Sequence, residues 1–179
     1  MPKIFLIGYM GSGKTTIGKS LAKKMNLSFI DVDLFIENRF RKSINQIFEE
    51  KGEDVFREME RKALEEILDF EDVVISTGGG LPCFFNNMER MNEKGITVYL
   101  EASPENLAKR LNAGKQKRPL IKDKNDQELI CFIEINLEKR RNYYEKSLYK
   151  IDTEELVTDK DVEEKVSNLM ACLSHNAAL

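Results

Sequence analysis

The segment GYMGSGKT, residues 8–15, follows the apolar run KIFLIG at residues 3–8 and precedes a stretch with helical periodicity. It matches the pattern G-x-x-x-x-G-K-[ST], whose glycines let backbone N–H groups surround phosphate oxygens at a helix N-terminus. In such a loop Lys14 reaches the β- and γ-phosphates, and the Thr15 hydroxyl binds Mg²⁺. Average amino-acid usage gives a chance match in about one chain of this size in a hundred, or fewer. The segment therefore predicts a site for a nucleoside triphosphate with Mg²⁺.

Short apolar runs alternate with longer helical patterns along the chain. Most of the runs are continuously apolar, which is typical of parallel strands covered on both faces. We therefore predict one α/β domain over residues 1–179, with a doubly wound three-layer α/β/α fold around the P-loop and a five-stranded parallel sheet. The predicted strands are 3–8, 27–32, 72–77, 96–100 and 148–152, and the predicted helices are 14–26, 34–41, 43–51 (with a capping box from Ser43 and Gln46), 53–69, 104–112, 126–146 and 160–173.

The composition is that of an ordinary globular protein: 41% of the 179 residues are hydrophobic, 33% are charged, and the net charge is −3. The basic residues are scattered, which argues against a nucleic-acid or membrane partner. The three cysteines, Cys83, Cys131 and Cys172, are far apart and indicate a reducing compartment rather than a metal site or a disulfide framework. The first apolar run is too short for a signal-peptide core or a membrane span, so we expect a cytoplasmic protein. We also expect it to be a monomer.

Two carboxylates, Asp31 and Asp33, follow the second apolar run in the segment FIDVD at residues 29–33. The single histidine, His175, lies at the C-terminal end, where chains are often poorly ordered. A proton acceptor in the site is therefore expected to be a carboxylate. We predict that the two aspartates have different roles.

Two further patterns are compatible with a bound anion. STGGG at residues 76–80 ends a predicted strand, where open α/β sheets bind ligands, and its glycines permit close backbone approach; a flexible turn explains them equally well. Arg57 and Glu60 are spaced i, i+3 on a helix, so Glu60 can hold the guanidinium in place. At this spacing a solvated surface pair is commoner.

Arg140 lies on the apolar stripe of the predicted helix 126–146, whereas Arg141 is turned roughly 100° away. An arginine on a core-facing stripe either binds an anion or extends its charge to the surface, and the spacing favours neither. Arg141 could share the role of Arg140.

A P-loop leaves two classes open, a kinase for a small molecule and a switch protein that reads the state of its nucleotide. The chain has no Asn-Lys-x-Asp guanine-reading motif, which weakens the GTPase interpretation. The polar, basic segment at residues 112–126 predicts a lid that closes over a substrate, which favours a kinase.

The chain resembles the shikimate kinase family from the P-loop to about Asp152. GYMGSGKTT, FIDVD, FREME, STGGG, RPL and KRRNYY occur in the family's order and at about its spacings. The resemblance implies ATP-dependent phosphorylation of the 3-hydroxyl of shikimate, on the way to chorismate and aromatic amino acids, with Mg²⁺ as cofactor. Two alternatives are a related kinase for another small hydroxy acid such as gluconate, and a nucleotide-dependent binding protein without turnover.

The resemblance also implies roles for individual residues. Those for the nucleotide are Gly11, Ser12, Gly13, Lys14, Thr15, Thr16, Arg110, Arg118 and Pro119. Those for Mg²⁺ are Thr15 and Asp31, with Ser76 close by. Those for shikimate, mostly in helices at about 33–61, are Asp33, Phe48, Phe56, Arg57, Gly79, Gly80 and Arg140. The catalytic residues are Lys14, Asp33, which would take the proton, and Arg118, which would move with the lid.

The segment IDTEELV at residues 151–157 departs from the family's pattern. Glu154 and Glu155 stand where members often carry a basic residue against the adenine. We therefore expect stacking of an arginine on the base to be missing at this position.

Overall fold

The computed structural model describes residues 2–114 and 124–176. Five parallel strands form one sheet in the order β2-β3-β1-β4-β5, which confirms the predicted fold class. The order places β1, which leads into the P-loop, at the centre of the sheet. The strands are β1 (Lys3–Ile7), β2 (Ser28–Asp31), β3 (Val73–Ser76), β4 (Ile96–Glu101) and β5 (Tyr149–Asp152).

Helices cover both faces of the sheet, because successive residues of its central strands point to opposite sides. Ile4 and Leu6 pack in a core with α1 and α7, whereas Phe5 and Ile7 pack in a larger core with α2 to α6. The helices are α1 (Lys14–Met25), α2 (Val32–Phe40), α3 (Ile44–Ile67), α4 (Asn87–Lys94), α5 (Pro104–Ala113), α6 (Asp126–Tyr144) and α7 (Asp159–Asn176).

Two local predictions about helix boundaries are confirmed by the backbone. Gly52 has φ 78° and ψ 173°, so α3 consists of two helical segments that meet at the predicted break. The predicted capping box is present: the Ser43 backbone N–H donates to Gln46 Oε1 at 2.9 Å, and the Gln46 N–H donates to Ser43 Oγ at 3.2 Å.

Two other predictions were wrong. The second helix begins at Val32 rather than residue 34, because Asp31 Oδ1 accepts from the Asp33 and Leu34 N–H groups at 3.1 and 3.3 Å and caps it. The other is α4, which is missing from the predicted helices; it is eight residues long and buries few apolar side chains, so its apolar pattern is too short to stand out. A single 3₁₀ turn, Leu81–Cys83, precedes it.

The remaining structural expectations concern the lid, the cysteines and the membrane. Most of the predicted lid, including Arg118 and Pro119, lies outside the described residues. All three cysteines are free. Within residues 2–114 and 124–176, no helix has the length and apolar character required to span a membrane.

Candidate active site

A cavity of about 410 Å³ lies at the carboxyl ends of β1, β2 and β3. The register of the sheet brings Asp31 beside Ser76, and Ser76 beside Leu6. Ligands bind at this edge in open α/β sheets. The cavity is lined by three groups of residues: Met10, Gly11, Gly13, Lys14, Thr15 and Thr16 of the P-loop; Asp31, Asp33, Ser76, Thr77 and Gly79 at the strand ends; and Arg110, Leu156, Val157, Thr158, Asp159 and Val162 from later in the chain.

The P-loop has the backbone that a phosphate site requires. Gly11 and Gly13 have φ of 82° and 94°, in the left-handed region that favours glycine, and α1 begins immediately after them at Lys14. The Lys14 ammonium donates to the carbonyls of Gly8 at 2.9 Å and Tyr9 at 2.8 Å. These contacts hold its charge over the loop, beside the N-terminus of α1, where anions are favoured. Ser12 is fully buried behind the loop.

Oxygen atoms suited to Mg²⁺ meet where α1 and β2 come together. The Thr15 hydroxyl donates to Asp31 Oδ2 at 3.0 Å, while Oδ1 of the same carboxylate caps α2. Among the described residues, no cluster of three or more His, Cys, Asp or Glu could hold a metal by itself. Mg²⁺ is commonly bound by one or two protein oxygens together with nucleotide phosphates, and the Thr15 hydroxyl and the Asp31 carboxylate could supply them.

The glycine triplet at residues 78–80 is shaped by charged side chains. A Cβ atom on Gly78 would lie 2.8 Å from both Asp33 Oδ1 and Glu60 Oε1, and one on Gly80 would lie 2.6 Å from Arg57 Nη1. A Cβ on Gly79 would lie 3.3 Å from Arg140 Nη1. Charged side chains of the protein itself therefore lie as close to the glycine backbone as the ligand was expected to lie. We call Asp33, Arg57, Glu60 and Arg140 around this triplet the charged pocket.

Arg57 is held in the charged pocket by two carboxylates and by aromatic rings. Its Nη1 donates to Glu60 Oε2 at 2.6 Å, and its Nε and Nη2 donate to Glu53 Oε1 at 3.1 and 2.7 Å. The guanidinium carbon lies 4.2 Å from the ring centroid of Phe84, a cation–π contact. A guanidinium has five N–H groups. These contacts with described residues use three of them, which leaves two that a ligand carboxylate could accept from. Phe48 and Phe56, whose ring centroids are 4.5 Å apart, lie beside it.

Glu60 is a buried carboxyl with 2% of its side chain exposed. Burial raises the pKa of Glu60 to about 7, although the Arg57 guanidinium opposes this shift; the neighbouring Asp33 carboxylate raises the pKa further. The pair with Arg57 is therefore a buried one rather than the solvated surface pair that is commoner at this spacing.

Arg140 and Arg141 occupy different environments, as their positions on α6 indicated. The Arg140 guanidinium lies over the Tyr9 ring, 5.2 Å from its centroid, and against Gly79. Tyr144, one turn further along α6, donates from its hydroxyl to the Gly79 carbonyl at 2.5 Å. Arg141 is 62% exposed and pairs with Glu138 at 3.6 Å, on the other side of the helix.

A further side of the cavity is formed by α5 and the segment after β5. We call Arg110 with residues 156–159 the outer wall. Arg110 donates to the carbonyls of Gly11 at 3.4 Å, Glu154 at 3.1 Å and Thr153. Burial lowers the pKa of Arg110, although Glu154 and Asp152 oppose the shift. The Glu154 carboxylate is turned towards α5 and does not line the cavity.

The structure thus brings together most of the residues predicted for the site. Sequence reasoning did not identify Phe84 beside Arg57, Tyr144 on Gly79, or Leu156–Asp159 in the outer wall. Tyr144 is an apolar-looking residue on the buried side of α6, and Phe84 follows the glycine triplet in a segment for which no element is predicted.

A phosphate-binding loop that shares one sheet edge with a pocket of paired arginines and a carboxylate defines a P-loop kinase for small molecules. The sequence model described as Shikimate kinase matches residues 10–170. The chain belongs to the shikimate kinase family.

Individual relatives agree over almost the whole chain. A shikimate kinase from Parabacteroides distasonis is 53% identical over 173 residues, which are 97% of this chain and all of that one. The crystal structure of shikimate kinase from Bacteroides thetaiotaomicron matches with a TM-score of 0.95 at 48% identity and covers 97% of this chain and 98% of its own. The structure of a shikimate kinase from Acinetobacter baumannii in complex with shikimate matches with a TM-score of 0.83 at 32% identity and covers 98% of this chain and 94% of its own.

Proposed function

We propose that this protein transfers the γ-phosphoryl group of ATP to the 3-hydroxyl of shikimate, a step in the synthesis of chorismate and aromatic amino acids. The observation that carries the proposal is the charged pocket, which lies at the same sheet edge as the P-loop. It offers two arginines for a carboxylate and one aspartate for hydroxyl groups, which suits a small polyol acid. We further propose that residues 1–179 form a single kinase domain that works as a monomer in the cytoplasm.

The residues divide into three tasks. The backbone of the P-loop and Lys14 hold the β- and γ-phosphates, and Arg110 lies beside the nucleotide. Thr15 and Asp31 are the protein ligands of Mg²⁺, with Ser76 next to them; when bound, the ion neutralises charge on the phosphates. Arg57 and Arg140 hold the carboxylate of shikimate, Phe48 and Phe56 form an apolar wall, and the backbone of Gly79 and Gly80 borders the ring.

Asp33 orients the acceptor hydroxyl and takes its proton. As the bond between the γ-phosphorus and the β,γ-bridging oxygen breaks, a bond forms from the acceptor oxygen to phosphorus, and the hydroxyl proton passes to the Asp33 carboxylate. The transition state is loose, so the proton leaves late and positioning matters more than base strength. Arg118, which lies outside the described residues, is proposed to stabilise charge on the transferring group.

The proposal is tested by measuring ADP release with Mg²⁺ and ATP against shikimate, quinate and gluconate. We expect turnover with shikimate and none with gluconate. Equal or faster release with gluconate would reject the acceptor, and no release with any of the acids would support a binding protein without turnover.

A further inference from the structure

The outer wall consists largely of a short, exposed segment between β5 and α7. Leu156, Val157 and Thr158 of this segment line the cavity, and the Leu156 side chain packs on the P-loop over Gly13. Val157 is apolar yet 83% exposed, so burial in the core does not hold it in place. A segment of this kind needs polar contacts at its base to keep one conformation. At the α7 end of the segment, Asp161 Oδ2 accepts from the backbone N–H groups of Val157 and Thr158 at 3.0 and 2.6 Å.

At the β5 end, the side chain of Glu154 joins the segment to α5. Its carboxylate accepts from the Ser103 hydroxyl at 3.0 Å, from the Ser103 backbone N–H, and from the side-chain amide of Asn106. Its own N–H donates to Asp152 Oδ1 at 2.7 Å. Hydrogen bonds to an ionised carboxylate are stronger than neutral ones, and three donors meet here. Glu154 is therefore attached to the first turn of α5.

The same helix holds the segment a second time through Arg110. This side chain donates to the carbonyls of Thr153 and Glu154, and it also reaches Gly11 in the P-loop. The segment is consequently fixed to α5 at two points. One is the Glu154 side chain, and the other is the pair of backbone carbonyls of Thr153 and Glu154 that accept from Arg110. Arg110 also links the segment to the phosphate loop.

We infer that Glu154 is a positioning residue for the donor nucleotide. It acts from outside the cavity by holding the outer wall in the conformation that meets the nucleoside. The inference rests on the proposed use of ATP. Without Glu154 the segment loses one of its attachments and is less well ordered before a nucleotide binds, so the cost of ordering it appears in nucleotide affinity. The charged pocket shares none of these contacts.

The test is calorimetric binding of Mg²⁺–ADP without any acceptor, together with steady-state kinetics. For Glu154→Ala we expect ADP affinity to fall roughly 5- to 30-fold, as for the loss of one or two hydrogen bonds. The KM for ATP should rise by a similar factor, while kcat and the KM for shikimate stay near their wild-type values. Glu154→Gln keeps an acceptor oxygen and should fall between these values. Asn106→Ala, which removes one donor, should act in the same direction but more weakly.

The matched control is Glu155→Ala, because Glu155 is the exposed neighbour of Glu154 and does not line the cavity. It should bind ADP like the wild type. Unchanged ADP affinity in Glu154→Ala, or an equal loss of ADP and shikimate affinity, would overturn the inference. If Glu154→Ala does not fold, the same criteria apply to Glu154→Gln. A wild-type protein that binds no ADP would instead reject the proposed use of ATP, and the inference with it.

Discussion

The charged pocket and the outer wall border the same sheet edge but differ in the burial and charge of their side chains. In the charged pocket, side chains with full charges press against a glycine backbone, and Glu60 is almost completely buried. In the outer wall, the Arg110 guanidinium donates to backbone carbonyls, and Val157 is 83% exposed. Fixed, buried charges reject ligands that leave them unpaired, whereas exposed side chains discriminate weakly. We therefore expect acceptor selectivity to be strict, and sensitive to single substitutions in the charged pocket.

The largest expected effect of such a substitution concerns Asp33. Asp33→Asn keeps the size of the side chain but removes the proton acceptor, so kcat should fall by about 10²-fold or more, within the range for a general base. ATP affinity should change little. The matched variant is Asp31→Asn, which should raise the Mg²⁺ concentration needed for half-maximal rate and leave shikimate affinity nearly unchanged. Initial rates across Mg²⁺ and shikimate concentrations measure both. Identical behaviour of the two variants would contradict separate roles.

A somewhat smaller effect is expected for Arg140. Arg140→Ala removes a charge-assisted hydrogen bond to the acceptor carboxylate, and shikimate affinity should fall roughly 10- to 150-fold while ADP affinity is kept. Arg141→Ala is the control, since that side chain is exposed and pairs with Glu138. Calorimetric titration of each protein with each ligand distinguishes the two. If Arg141→Ala weakened shikimate binding as much as Arg140→Ala, both arginines would belong to the pocket.

The glycine triplet gives a graded test. A methyl group at Gly80 would lie 2.6 Å from Arg57 Nη1, closer than Cβ atoms approach other groups in proteins, whereas at Gly79 its nearest neighbour is 3.3 Å away. Gly80→Ala should therefore displace Arg57 and weaken shikimate binding roughly tenfold. Gly79→Ala should cost less. The reverse order, measured in the same titrations, would show that the backbone itself rather than Arg57 limits binding.

The last expected effect concerns stability rather than binding or rate, and it is a dependence of the free energy of unfolding on pH. The pKa of Glu60 is about 7 in the folded protein, above the usual 4.5, so between these values the folded state keeps a proton that the unfolded state has released. Its contribution to stability is complete below pH 4.5 and is lost as the pH rises through 7. Relative to Glu60→Gln, which has no titratable group at this position, the free energy of unfolding of the wild type should fall by about 1 kcal/mol per pH unit in this window. Denaturant unfolding from pH 4 to 8 provides the comparison, and a constant difference between the two proteins would exclude a raised pKa.

Structural features that depend only on neighbouring residues in the sequence could be predicted. The P-loop, the continuously apolar strands and the stripe that turns Arg140 inward and Arg141 outward each depend on neighbouring residues, and the structure agrees with all three. The aspartates also follow this rule, since any residue that ends β2 lies at the ligand-binding edge.

Features that depend on distant segments meeting could not be predicted. Glu60 is buried because the glycine triplet, 18 residues further along, folds against it, and the i, i+3 spacing alone favours an exposed pair. Phe84 stacks on Arg57 because the 3₁₀ turn after the triplet brings it there. From the sequence, Glu154 indicates only that a basic contact with the base is missing. Its partners Ser103 and Asn106 are about 50 residues away in the chain, so its attachment to α5 could not be predicted.

The contact between Gly80 and Arg57 has a consequence for how this protein can change over evolution. A side chain at residue 80 is incompatible with the arginine at its present position, so the two positions are not independent. A chain that first shortened Arg57 would be free to replace Gly80, and the substituted residue would then displace a restored arginine from this position. We expect relatives that lack the arginine to vary at the position of Gly80, and those that keep it to retain glycine. Loss of the acceptor carboxylate site would therefore be difficult to reverse.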